Sequence, residues 1–111
     1  MVQNQKLDKT LHALSHHVRR DMLTRLSEQD ARVTDLAEHY KNYSLNAVSK
    51  HLKVLEEAEL ITRTKIGRVH QIKLNAEPMK EIEKLIQFFS AFWMNRIDKL
   101  EEMLNEEEND S

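Results

Sequence analysis

Asn46, Ser49, Lys50 and Lys53 recur at a spacing that places them on one side of a helix. Asn can pair with adenine edges and Lys can reach guanine or phosphate. The small residues Ala47 and Ser49 let such a helix sit deep in a major groove. On a wheel of about 100° per residue, Leu45, Val48, Leu52 and Leu55 fall on the other side, within about 80° of one another. The segment therefore has one face to bury and one cationic face to present. The bland alternative is a solvated face that lacks acids until Glu56. Arg63, Lys65 and Arg68 follow around the single glycine, Gly67. They could enter or straddle a minor groove, whose negative potential attracts Arg; otherwise they protect the edge of a hairpin from aggregation.

Six histidines raise the question of a metal. His12 and His16 are four apart, but no cysteine or carboxylate cluster completes a set, and Ser15 is expected to break the helix between them. His17, Arg19 and Arg20 read either as phosphate contacts or as salt-bridge partners. His51 reads as a hydrogen-bonded histidine at the edge of the buried stripe, and His39 and His70 suggest nothing specific. The chain has no cysteine, which removes disulfides, thiolate metal sites and sulfur redox switching together. There is no glycine-rich phosphate loop and no nucleophile and base at a recognisable spacing. The expectation is a non-enzyme without metal or cofactor.

The elements that must position these residues follow from periodicity. A chain of 111 residues suits one domain, here residues 1–111, and its balance of 40% hydrophobic and 32% charged residues favours a helical protein. Leu7, Leu11 and Leu14 predict a first helix ending near Ser15, which could cap a second carrying Val18, Met22, Leu23 and Leu26. Together these N-terminal helices occupy 7–31. Val33, Leu36, Ala37 and Tyr40 predict a short third helix. Ser44 then stands as the N-cap of a fourth, ending near Glu59, so that 32–59 has the outline of a helix-turn-helix. Residues 60–74 alternate with period two around Gly67 and predict a β-hairpin with a basic tip, the order of a winged helix. Pro78 opens a last helix over 78–105, followed by an acidic tail, 106–111, that should be frayed.

That last helix carries Ile82, Ile86, Phe89, Phe92, Trp93, Ile97 and Leu100 in a band too wide for the remaining chain to cover, and a second copy is the simplest partner. The aromatic group within it could instead line a pocket for a small-molecule effector. Charge is divided along the chain: residues 32–74 hold eight Lys and Arg against five acids, and residues 75–111 hold four against ten. No apolar run approaches the roughly 18 residues of a membrane span, and the first ten residues lack the apolar core of a signal peptide. A cytoplasmic protein without a membrane partner is expected.

The run from Ser44 to Leu55, then Glu56-Glu57-Ala58-Glu59-Leu60-Ile61, Arg63 and Gly67-Arg68, resembles the ArsR/SmtB family of dimeric winged-helix repressors. Ala13-Leu14, Arg19 and Met22-Leu23 are similar to that family's opening pattern, and the likeness runs from about Leu7 to Leu104. It implies a mainly α fold with a β-hairpin and about five helices. Long N- and C-terminal helices would form a homodimer interface through Leu7, Leu11, Leu14 and the apolar residues of the last helix. It also implies binding to a palindromic double-stranded DNA operator through Ser44, Asn46, Ala47, Ser49, Lys50, Lys53, Arg63, Lys65 and Arg68. Arg32 and Thr34 occupy the positions where the family's metal sensors carry cysteines, and no histidine follows His70, so both familiar metal sites are missing. Glu59 stands where the family often has glycine. The alternatives are a protein-docking module that keeps the fold without binding DNA, and a small-molecule sensor using the aromatic cluster.

Overall fold

The element that carries the cationic face, α4 (Leu45–Glu57), is the centre of the packing. In the computed structural model, which describes residues 4–109, it is preceded by α1 (Gln5–Leu14), α2 (His17–Glu28), the two-residue strand β1 (Ala31–Arg32) and α3 (Val33–His39). It is followed by β2 (Ile61–Ile66), β3 (Val69–Leu74) and α5 (Met79–Asn109). The chain forms two compact units that divide after Lys80.

In the first unit α4 touches α1, α2, α3 and β2. Val48, Leu52 and Leu55 bury its inner face against Met22, Leu60, Ile61 and Ile72, each of these side chains less than 2% exposed. A buried Leu, Ile or Met contributes about 1.5–3 kcal/mol, so this stripe holds the helix in place. Leu45, the fourth member of the expected stripe, is instead 66% exposed, because it sits in the first turn, beyond the core. Leu14, expected at a dimer interface, packs against the core.

Ser15 closes α1 rather than opening α2: its hydroxyl donates to the His12 carbonyl (2.6 Å). The N-cap of α2 is His16, whose Nδ1 accepts from the Val18 amide (3.2 Å). Tyr40, at the end of α3, donates from its hydroxyl to Asp21 of α2. Burial and this carboxylate push the Tyr40 phenol up to about 12.

The sheet is antiparallel with order β1-β3-β2, and the expected hairpin therefore gains a third strand through the pairs Ala31↔Ile72 and Arg32↔Gln71. Gly67 has φ +64° at the first of the two loop residues between Ile66 and Val69, where a type II′ turn needs glycine. Glu59 has φ 61°. Its amide bonds to the Glu56 carbonyl (2.9 Å) and that of Leu60 to the Leu55 carbonyl (3.0 Å). That pattern is a Schellman cap with glutamate in the left-handed position that favours glycine.

The second unit begins at Glu81 within helix α5, which runs 31 residues to Asn109, past the expected end at 105. Glu106, Glu107 and Glu108 have good helix propensity and continue it, although acids at a C-terminus oppose the helix dipole. The last two residues of the expected acidic tail lie outside the described residues.

Candidate nucleic-acid interface

Helix α3, the turn after it and α4 make the helix-turn-helix. The turn is held by the Tyr43 amide donating to the Tyr40 carbonyl (2.9 Å). The Ser44 hydroxyl then accepts from the Ala47 amide (3.1 Å), so Ser44 caps α4 and fixes where it begins. Because Val48, Leu52 and Leu55 are buried, Asn46, Ser49, Lys50 and Lys53 are all turned to solvent, with Ala47 at the margin. Tyr43 and Leu45 flank the cap and are 40% and 66% exposed, extending the outward face with apolar surface. Sequence periodicity assigned Leu45 to the core; its place one residue after the capping serine was the available signal that it could project outward.

The two cationic groups of the wing are not equivalent. Lys65 and Arg68 lie on or beside the exposed hairpin tip. The Arg63 guanidinium reaches back and donates to the Glu56 carboxylate of α4 at 3.2 Å, and its side chain is only 28% exposed. Ser49, Lys53, Glu56, Glu57 and Arg63 line the shallow groove between recognition face and wing. Among the described residues, no carboxylate pairs with Lys50, Lys53, Lys65 or Arg68, whereas Arg63 is already neutralised.

Arg19 is neither a phosphate contact nor a salt-bridge partner. It is 7% exposed. Its Nε donates to the Ala13 carbonyl (2.7 Å) and its Nη2 to the His12 carbonyl (3.0 Å), which lie in the last turn of α1, beyond its intrahelical hydrogen bonds. Arg20 donates similarly to the Leu14 carbonyl (2.7 Å). His51 of α4 is partly buried, and its Nδ1 lies 3.1 Å from Arg19 Nη1.

Arg32 and Asp35 form a local pair at the start of α3: the carboxylate accepts from the Arg32 amide (3.2 Å), from Nε (3.1 Å) and from Nη2 (3.0 Å). The Arg32 hydrogen bonds hold the Asp35 carboxyl below its ordinary range. Among the described residues, no three His, Asp or Glu side chains are grouped to hold a metal ion.

Residues 14–64 match the helix-turn-helix domain family. The chain is 31% identical over 75 residues to the transcriptional repressor SdpR of Bacillus subtilis (strain 168), a match spanning 68% of this chain and 82% of SdpR. It is 30% identical over 87 residues to the uncharacterized HTH-type transcriptional regulator YuzN of the same strain, spanning 73% of this chain and 95% of YuzN. The crystal structure of an ArsR family transcriptional regulator is similar with a TM-score of 0.77 and 30% identity, over 85% of this chain and 97% of that one. The chain belongs to the ArsR family of winged helix-turn-helix transcriptional regulators. Its family and fold are those of regulators, not of enzymes. No helix among the described residues is long and apolar enough to cross a membrane.

In this ArsR-family chain, α5 leaves Ile86, Phe89, Phe92, Trp93, Ile97 and Leu100 between 45% and 60% exposed, while Ile82 is partly buried. Ile82, Ile86, Phe89, Trp93, Ile97, Leu100 and Leu104 repeat every 11 residues. At about 3.67 residues per turn this repeat stays close to the helical period, so the stripe runs nearly straight along the helix. Phe92 stands beside it, edge-on to Trp93 and 5.0 Å from the Arg96 guanidinium. On α1, Leu11 is 41% exposed and Leu7 is partly buried.

Proposed function

We propose that the protein is a homodimeric, sequence-specific DNA-binding repressor that reads a palindromic operator. The carrying observation is the outward face of α4: Asn46, Ser49, Lys50 and Lys53 are exposed on a helix anchored from behind by Val48, Leu52 and Leu55. Such a face offers donors and acceptors to base edges and cations to phosphates, and the Ser44 cap sets the depth at which it enters the groove. Leu45 adds an apolar contact suited to thymine methyl groups. Lys65 and Arg68 at the wing tip reach the flanking minor groove, whereas Arg63 stays on Glu56 and positions the wing against α4.

A homodimer is supported by the exposed apolar stripe of α5, whose straight course suits packing against a second copy, with Leu11 adding to the contact. Two recognition helices would then meet successive major grooves on one DNA face, with half-sites about 34 Å apart. Repression is supported by the name of SdpR as a transcriptional repressor. The Arg32–Asp35 pair, at the place where the family's metal sensors carry cysteines, supports a regulator that does not respond to metal through that site.

The test is a titration of the purified protein against its own upstream DNA and a scrambled duplex at two salt concentrations, with Lys50→Ala and Arg68→Ala beside it. Salt-sensitive preference for the native duplex, weakened in both variants, is expected. Binding no tighter than to the scrambled duplex would overturn the reading in favour of a protein-docking module, since only phosphate neutralisation releases counterions.

A further inference from the structure

The Arg19–His51 contact joins two parts of the fold that the DNA reading treats separately. Arg19 belongs to α2, ties down the last carbonyls of α1, and reaches the recognition helix through one hydrogen bond to His51 Nδ1. Arginine is always charged in proteins and can only donate. Nδ1 must therefore be the acceptor, which requires a neutral imidazole with its proton on Nε2. A proton on Nδ1 would set donor against donor and break the link.

We propose that Arg19 and His51 are a positioning pair that fixes the angle of the recognition helix on the body of the domain, and that the pair releases when His51 is protonated. The proposal rests on the DNA-binding reading.

The surroundings of His51 reinforce the neutral form. From α2, the His16 ring lies 4.5 Å away centroid to centroid, and His17 stacks on His16 at 4.8 Å. Burial first, then His16, Arg19 and His17, lower the affinity of His51 for a proton. His16 is lowered by partial burial, then by His17, Arg19 and Arg20. On α4 itself the neighbouring charge is Lys50. Toward and just past the end of α4, Lys6 and Lys9 of α1 stand beside Glu57 and Glu59, and Arg63 of β2 is paired with Glu56. Among the described residues, no carboxylate is hydrogen-bonded or ion-paired to His51. The sign follows: a lowered folded-state pKa favours folding above the ordinary value of 6.5, and that contribution fades as pH falls through the lowered value.

Two measurements test the pair. In the free protein, nitrogen-15 NMR should show His51 with Nδ1 unprotonated and titrating below 6.5. The opposite tautomer, or an ordinary titration, overturns the proposal without reference to DNA. Operator affinity is then compared between wild type and His51→Asn from pH 7.5 down through the His51 titration found by NMR. The Asn Oδ1 can accept from Arg19 near the place of Nδ1 and does not titrate. The variants should bind alike at pH 7.5, and wild type should fall behind by about tenfold once the pH is below the His51 titration read by NMR, the loss expected for one hydrogen bond to a charged group. A ratio of the two affinities that stays constant overturns the proposal. His51→Leu, checked for folding by circular dichroism, should lose about tenfold already at pH 7.5, since it removes the acceptor of Arg19 Nη1 and with it the link to α4. If wild type binds no duplex at any pH, the DNA reading fails and the pair is judged on the free-protein tautomer and titration.

Discussion

The salt dependence of binding separates the cations proposed to face DNA from the one held back on Glu56. The proposed interface contains four outward cations without a carboxylate partner, Lys50, Lys53, Lys65 and Arg68, and the proposed dimer would contain eight. Each phosphate neutralised on duplex DNA contributes about −0.9 to the slope of log affinity against log salt, so the wild-type slope should be about −7. Affinity would then fall about ten-thousand-fold between 50 and 200 mM salt. Lys50→Ala or Arg68→Ala removes one contact per protomer and should make the slope shallower by about 1.8. Arg63 should behave otherwise, because its guanidinium is committed to Glu56 at 3.2 Å. The double variant Glu56→Gln with Arg63→Gln removes a neutral pair and should leave the slope at its wild-type value. Glu56→Gln alone frees Arg63 and should steepen the slope by up to about 1.8. Neither change should disturb folding much, since a half-exposed ion pair is worth about 0–1 kcal/mol. Fluorescence anisotropy of a labelled operator over a salt series reads each slope. A double variant whose slope drops by as much as that of Lys50→Ala would show that Arg63 contacts phosphate and would refute the division of the wing into a contacting tip and a positioning base.

Three further outcomes follow from the same geometry. Glu59→Gly should raise stability in urea unfolding by about 1 kcal/mol, because φ 61° is strained for a side-chain-bearing residue and the Schellman hydrogen bonds remain available; an unchanged midpoint would mean the strain is absent. Trp93→Glu, placed in the exposed stripe of α5, should convert a dimer to a monomer in analytical ultracentrifugation and abolish operator binding while the far-ultraviolet helical signal persists; a variant that remains dimeric would place the interface elsewhere. Asp21 is held below the ordinary carboxylate value of 3.8, chiefly by the Tyr40 hydroxyl, so its contribution is complete above 3.8 and is lost as pH falls through the lowered value. Asp21→Asn should therefore be less stable than wild type near neutrality, with the gap closing in strong acid; a gap independent of pH would refute the assignment.

The helix-turn-helix and hairpin were readable in the sequence because each of their parts is specified locally. Ser44 caps the helix that follows it, Val48, Leu52 and Leu55 fix its inward face, and Gly67 supplies the one φ the hairpin loop requires. β1 was not readable, because two residues carry no periodicity, and Ala31 and Arg32 become a strand only when β3 lies alongside them. The two arginines of the α2 opening were ambiguous for a related reason. A buried guanidinium needs acceptors, and those of Arg19 are carbonyls freed where α1 happens to end, together with a histidine 32 positions away in the chain.

The same distinction between local and long-range specification explains where function can be adjusted. The outward residues of α4 touch little else in the described fold, so Asn46, Ser49 and Lys50 can change with small consequence for stability, and operator preference can drift while the scaffold stays. The angle of α4 has the opposite character. It depends on Leu52 and Leu55 beneath the helix, Glu56 and Arg63 at one end, and His51 and Arg19 along its side, and each of these joins α4 to a different element. A signal that alters any one of these joints would change DNA affinity without touching a base-reading side chain. Of the three, only the His51 joint holds an imidazole, which gains its charge below the ordinary value of 6.5, whereas the arginines stay protonated and the hydrophobic stripe does not titrate. If regulation enters the domain without a ligand, this is the joint through which a change in pH can act on the recognition helix.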